Sequence, residues 1–248
     1  MQPTDDPAKS AVPDLSRRRF ASLAGMAVAG VVAGRAARAR GADPNPAVPR
    51  RDPDETLRAL VDGNGRFVSG QAEGPRRRPE DWRSLAGGQS PVAAVVGCAD
   101  SRVPPELVFD QGVGDLFVVR VAGNLVASPG YKVTGSLEYA VAELGVALVV
   151  VLGHTGCGAI KAAMKHIADG DAPPGAIKEL VAALKPAVAR AKGRPGDPVD
   201  NAIAANVELG VDRLRKLSPI LAPAVRAKRL KVVGGVYDLP SGRVAVIA

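Results

Sequence analysis

Apolar positions along the chain follow two periods. Continuous β-branched runs at residues 92–96, 116–121 and 147–152 read as buried strands, and residues 230–237 and 244–247 add two more near the C-terminus. Helical spacing predicts helices over 54–69, 134–144, 158–168, 177–191 and 202–217. In the first of these Leu57, Leu60, Val61, Asn64, Phe67 and Val68 share one face. Gly63 and Gly65 weaken that helix, each by about 1 kcal/mol relative to alanine. Residues 70–83 read as a loop whose Arg76, Arg77 and Arg78 are solvated, and residues 103–109 as a short helix or turn. Pro240 and Gly242 suit a tight turn between the last two strands, which makes that pair antiparallel. Strands alternating with helices predict an α/β fold. Its sheet is mixed, with a parallel centre, an antiparallel edge strand and helices on both faces. Ligands of such sheets sit at the carboxyl ends of the strands.

The N-terminus breaks the alternation. Arg17, Arg18 and Arg19 precede an apolar run from Ala21 to Ala33, and Ala37-Arg38-Ala39 offers an A-x-A cleavage site. Residues 1–39 therefore resemble a twin-arginine export signal, and the protein is expected to be periplasmic or secreted. A membrane anchor is disfavoured, because about 14 apolar residues fall short of the roughly 20 that span a bilayer. A tail with chance arginines is the other plain alternative. Residues 40–53 carry four prolines and no apolar period, and read as a linker. The folded domain is expected over 54–248.

Composition changes this picture little. Hydrophobic residues make up 46% of the chain and aromatics 3%, so the core is Val, Ala and Leu. The formal charge is +8, but residues 1–39 hold six cations against three acids, and a nucleic-acid partner is not implied. Gly153 to Gly158 has the spacing of a phosphate loop, but Ala159 stands where its lysine belongs; Gly112-Val113-Gly114 lacks the third glycine of a dinucleotide fingerprint.

Cysteine and histidine usage changes it more. The chain has two cysteines and two histidines. Both cysteines and one histidine lie in Gly97-Cys98-Ala99-Asp100-Ser101-Arg102 and Gly153-His154-Thr155-Gly156-Cys157-Gly158, each directly after a predicted strand. Cys98, His154 and Cys157 can offer two thiolates and an imidazole to one tetrahedral zinc ion. Three protein ligands leave the fourth position open, which is the catalytic pattern. A disulfide or a closed structural zinc site are the alternatives. The three-residue step from His154 to Cys157, and a carboxylate and a guanidinium beside Cys98, argue against a disulfide.

Cys98-x-Asp100-x-Arg102 followed by His154-x-x-Cys157 resembles the β-class carbonic anhydrases. Residues 120–124, 136–140 and 235–238 extend the resemblance over nearly all of 54–248. It implies a zinc enzyme that interconverts carbon dioxide and bicarbonate by a zinc-bound hydroxide, built as homodimers or multiples of dimers. Asp100 would accept the hydroxide's hydrogen bond and Arg102 would hold Asp100 ionised; in a closed state Asp100 would become a fourth ligand. Gln89, Phe117, Tyr139 and Gly158 match positions that line the family's substrate cleft. Arg120 and Tyr237 match two members of a regulatory bicarbonate site, but Val95 stands where its tryptophan belongs, which argues against that regulation. A hydrolase of carbonyl sulfide or carbon disulfide would use the same ligands, and a non-catalytic exported zinc protein would need no Asp–Arg pair. His166 is expected on a helix surface rather than in a proton shuttle.

Overall fold

A computed structural model of the chain describes residues 51–126, 131–216 and 219–248. The export-like segment 1–39 and the linker up to residue 50 lie outside the described residues. Helices α1 (Pro53–Val68), α2 (Pro79–Trp82), α3 (Pro105–Val108), α4 (Tyr131–Ala142), α5 (Gly158–Asp169), α6 (Ile177–Ala191), α7 (Pro198–Lys216) and α8 (Leu221–Arg226) surround one sheet. Strands β1 (Ala93–Gly97), β2 (Leu116–Arg120), β3 (Leu148–His154) and β4 (Lys231–Tyr237) run parallel, and β5 (Val244–Val246) closes antiparallel on β4. The order is β2-β1-β3-β4-β5. The expected α/β class, with its parallel centre and antiparallel edge, is the observed one.

Every residue of β1 and β3 is buried, which is why their sequences are unbroken apolar runs rather than alternations. Side-chain alternation then sorts them onto two faces. Ala93, Val95, Leu148, Val150 and Leu152 pack with Leu60 of α1 and with Val108 and Phe109 at the end of α3. Ala94, Val96, Val149 and Val151 pack with Leu137 of α4, Val207, Val211 and Leu214 of α7, and Leu221 of α8. A third cluster joins Cys98, Cys157, Ile160 of α5, Leu184 of α6 and Ile203 of α7. The chain leaves β1 for β2 on one side and later enters β3 on the other. Such a reversal opens a crevice at the carboxyl ends of the two strands.

Several local expectations are corrected. Asp52 caps α1, its Oδ1 accepting from the N–H groups of Asp54 and Glu55 at 2.8 and 2.9 Å, so the helix starts before Asp54. Val61 is exposed and not on the buried face. The segment 70–83 is not a plain loop, since α2 and a 3₁₀ turn at Arg83–Gly87 follow its arginines. Arg76 pairs with Asp115, and Arg77 lies 3.9 Å from the buried Asp110, which Arg66 Nε also meets at 2.7 Å. These arginines therefore staple the loop to the turn before β2. Asn64 donates to the carbonyls of Val108 and Gly242 at 2.9 Å each and accepts from Val244 N–H at 2.9 Å, tying α1 to α3 and to the β4–β5 turn. α8 was not expected, its six residues being too few to show a period.

The two glycines of α1 differ. A Cβ on Gly63 would stand 2.0 Å from the Phe109 carbonyl oxygen, whereas one on Gly65 would meet nothing within 4 Å. Gly63 is thus a close approach of α1 to the end of α3, a packing role that comes on top of its intrinsic cost to the helix. Opposite signs follow. Gly63→Ala should destabilise by about 1–3 kcal/mol through overpacking, and Gly65→Ala should stabilise by up to about 1 kcal/mol. Denaturant unfolding of both variants checks this; equal shifts in the same direction would contradict the packing.

Candidate metal centre

Gly97, the last residue of β1, is registered against Leu152 of β3. Cys98 therefore leaves β1 beside the point where β3 reaches His154. Gly156, at φ 66°, takes a left-handed conformation that most side chains disfavour, and the turn delivers Cys157 to the N-cap of α5. The two sulfurs and a ring nitrogen of His154 all lie within 4.8 Å of one another. All three residues are buried, His154 completely, and both cysteines are free thiols.

The donor set can be tested against a metal without reference to any relative. His154 Nδ1 lies 3.0 Å from the Thr155 carbonyl oxygen, which can only accept, so Nδ1 carries the proton. Nε2 then presents a lone pair, is buried, and has no hydrogen-bond partner. An orphaned imidazole nitrogen between two sulfurs is costly unless a cation fills the gap. The sulfurs are prepared in the same sense. The neighbouring Cys157 thiol pulls the Cys98 thiol well below its ordinary range, against burial; the N–H groups of Asp100 (3.4 Å) and Gly123 (3.3 Å) act with it. Cys157 is pushed up by the Cys98 sulfur and by burial, while the first-turn N–H groups of Ile160 and Ala159 work the other way. Ionisation of one sulfur thus opposes ionisation of the other, and a bound cation would relieve that opposition.

Asp100 stands at the edge of this cluster. Its Oδ1 accepts from Arg102 N–H at 3.0 Å and Arg102 Nε at 2.9 Å, and its Oδ2 from Arg102 Nη2 at 2.7 Å. This two-pronged contact, chiefly, holds the Asp100 carboxyl far below the usual carboxylate range, against burial. Oδ2 lies 3.8 Å from His154 Nε2 and so faces the place a metal would occupy. The folded-state pKa is depressed, so protonation would break the fork only when pH falls below the ordinary carboxylate value of about 4.

The family model described as carbonic anhydrase matches residues 93–244. A carbonic anhydrase of Mycolicibacterium smegmatis is 41% identical over 197 residues, covering 79% of this chain and 94% of that protein. Carbonic anhydrase 2 of Mycobacterium tuberculosis is 40% identical over 196 residues, covering 79% and 93%. A crystal structure of a tetrameric β-carbonic anhydrase from Sordaria macrospora aligns with a TM-score of 0.61 at 27% identity, over 78% of this chain and 98% of that one. The chain belongs to the β-carbonic anhydrase family. A β-carbonic anhydrase from Coccomyxa, solved with acetazolamide, aligns with a TM-score of 0.60 at 30% identity, over 77% of this chain and 86% of that one.

Within one chain of this β-carbonic anhydrase, the five residues of the paired motifs converge, and of the four cleft residues Gly158 joins them while Gln89, Phe117 and Tyr139 do not. Phe117 is registered against Ala94, four residues before Cys98, which is about 13 Å along the strand. Its ring packs on Tyr139 with centroids 6.1 Å apart, and Tyr139 is 47% exposed. Gln89 is exposed in the segment leading into the amino end of β1. Gly158 opens α5 beside Cys157, with open space where a side chain would be. Val95 is fully buried in mid-sheet, and Tyr237 is registered against His154. His166 meets Asp171 at 2.6 Å near the far end of α5. Sequence reading missed the Gly123 amide, which no side-chain motif marks, and the Thr155 carbonyl, for the same reason. It also missed what Asp238 does, since the Thr155 hydroxyl that donates to it at 3.2 Å lies 83 residues away in sequence.

Proposed function

We propose that this β-carbonic anhydrase holds one zinc ion on Cys98, His154 and Cys157 and interconverts carbon dioxide and water with bicarbonate and a proton. The observation that carries this reading is the unpartnered His154 Nε2 enclosed by two free thiols. Zinc held by these three residues would supply a Lewis acid that lowers the pKa of a water toward about 7. Asp100 Oδ2 accepts the hydrogen bond of the reacting water and so aims its lone pair at the carbon of CO2. Arg102 occupies the remaining carboxylate lone pairs and keeps Asp100 anionic and turned off the metal. Gln89, Phe117 and Tyr139 serve as substrate-cleft residues if a second copy brings them to this crevice. Their distance from Cys98 within one chain and the exposed Tyr139 support assembly as dimers or multiples of dimers.

Two variants test the mechanism. In Arg102→Ala the carboxylate loses its fork and takes the free position on zinc, so zinc stays and turnover collapses. In Asp100→Asn the neutral amide cannot replace the carboxylate, so zinc stays and the water loses its acceptor. Each should lose CO2 hydration on the order of 10²-fold or more by stopped-flow indicator assay. Near wild-type turnover in either variant would reduce the pair to a structural contact. Loss of zinc in Asp100→Asn would make Asp100 an obligatory ligand. Faster turnover of carbonyl sulfide than of CO2 by the wild-type chain would replace the substrate.

We also propose that residues 1–39 direct export of the folded, metal-loaded chain, supported by the arginines before the short apolar run. Arg17→Lys combined with Arg18→Lys should leave the enzyme active but cytoplasmic. Undiminished appearance of that double variant beyond the cytoplasmic membrane would refute the twin-arginine reading.

A further inference from the structure

Arg120 ends β2, the edge strand, opposite Gly97 of β1. Main-chain pairing between the strands continues briefly past this point, with Val121 N–H donating to the Gly97 carbonyl at 3.1 Å and Ala99 N–H to the Val121 carbonyl at 3.2 Å. The metal loop then turns away. A side chain also holds the loop from β2, on both sides of Ala99: Arg120 Nε donates to the Cys98 carbonyl at 2.9 Å and Nη2 to the Asp100 carbonyl at 2.5 Å. The Asp100 carbonyl also accepts from Val103 N–H at 3.1 Å. Among the described residues Arg120 forms no ion pair with a carboxylate, and its Nε and Nη2 donate to these two peptides although the side chain is exposed.

We infer that Arg120 is a positioning residue of the metal centre: its guanidinium clasps the main chain from Cys98 to Asp100 and sets where the thiolate and the carboxylate stand relative to His154. This rests on reading the centre as the zinc site of a β-carbonic anhydrase. The two groups it places hang from the clasped peptides. Asp100 N–H points at Cys98 Sγ at 3.4 Å, and Asp100 Oδ2 stands 3.8 Å from His154 Nε2. A rotation of either peptide would spoil both distances. Arg102 holds the carboxylate by its oxygens, and Arg120 holds the same residue by its backbone. Neither contact substitutes for the other, since the carboxylate could stay forked to Arg102 while the whole loop drifts from Cys157 and His154. Val95, sealed inside the sheet, cannot complete an anion site with Arg120, whose Nε and Nη2 face the loop carbonyls.

The test uses the full chain as wild type, Arg120→Ala and Arg120→Lys, each prepared with zinc and with cobalt(II) in its place. Three quantities are read: the visible absorption of the cobalt form, the rate of zinc release to a chelator, and kcat and KM for CO2 hydration. Arg120→Ala should shift the cobalt bands and release metal about 10–100-fold faster, with kcat falling by about 10-fold and KM changing less than about twofold. Arg120→Lys keeps the charge and one donor and should fall between. A folded Arg120→Ala with the wild-type cobalt spectrum and release rate overturns the inference. If the alanine variant does not fold, the lysine variant decides, and wild-type bands with wild-type kcat in it overturn the inference equally. Loss of an activity response to added bicarbonate, with an unchanged spectrum, would make Arg120 a ligand-binding residue instead. A wild-type chain without CO2 hydration whose cobalt bands still move in Arg120→Ala would sink the functional reading and leave this one standing.

Discussion

Two sulfurs and an imidazole nitrogen cannot share a dry space of this size unless something compensates their charge and lone pairs. That constraint organises the carboxyl end of the sheet. The sulfurs receive backbone N–H groups, Cys98 from Asp100 and Gly123, and Cys157 sits where the first turn of α5 presents its own. The imidazole is turned by the Thr155 carbonyl so that its lone pair faces the sulfurs. Adjacent parallel strands β1 and β3 supply the rest, because a parallel pair ends with both carboxyl termini on one side. A centre assembled from residues 98, 154 and 157 needs no long loop, only a reversal of strand order at β1.

Support for the centre reaches well beyond its ligands. The Thr155 hydroxyl donates to Asp238 and accepts from Leu239 N–H at 2.9 Å, so the residue that orients His154 is pinned by the β4–β5 turn. Asp238 is itself anchored by Ser241, and the same turn is held to α1 through Asn64. α1 in turn sits tight against α3, the element that follows the metal loop. The first helix and the last hairpin thus brace one loop from two directions. The geometry of a few ångströms at the centre is a property of the whole sheet end and not of the two short motifs.

How much of this was legible in the sequence follows from the range of each interaction. β1 and β3 announce themselves because burial on both faces leaves no polar position in the run. Cys98, Asp100, Arg102, His154 and Cys157 were found because each lies within a few residues of a strand end, where local spacing is informative. α5 and α6 start where the period places them, whereas α1, α4 and α7 start one, three and four residues earlier; Asp52 and Asp197 cap α1 and α7 from outside the apolar period. Gly63, Arg76 and Arg77 were misread for one reason: their partners, Phe109, Asp115 and Asp110, lie about thirty to fifty residues away in sequence. Phe117 and Tyr139 were matched to a cleft by resemblance, and the register of β2 shows what resemblance left out, that one chain does not carry them to its own metal site.

The proposed centre holds zinc on Cys98, His154 and Cys157 with Asp100 kept off the metal by Arg102. X-ray absorption at the zinc edge of the purified chain at neutral pH tests it most directly. Two sulfur scatterers are expected at about 2.3 Å and two nitrogen or oxygen scatterers at about 2.0–2.1 Å, one of them showing the outer-shell pattern of imidazole and the other exchangeable with added small anions. No zinc, a disulfide between Cys98 and Cys157, or a fourth ligand that no added anion displaces at neutral pH would contradict it.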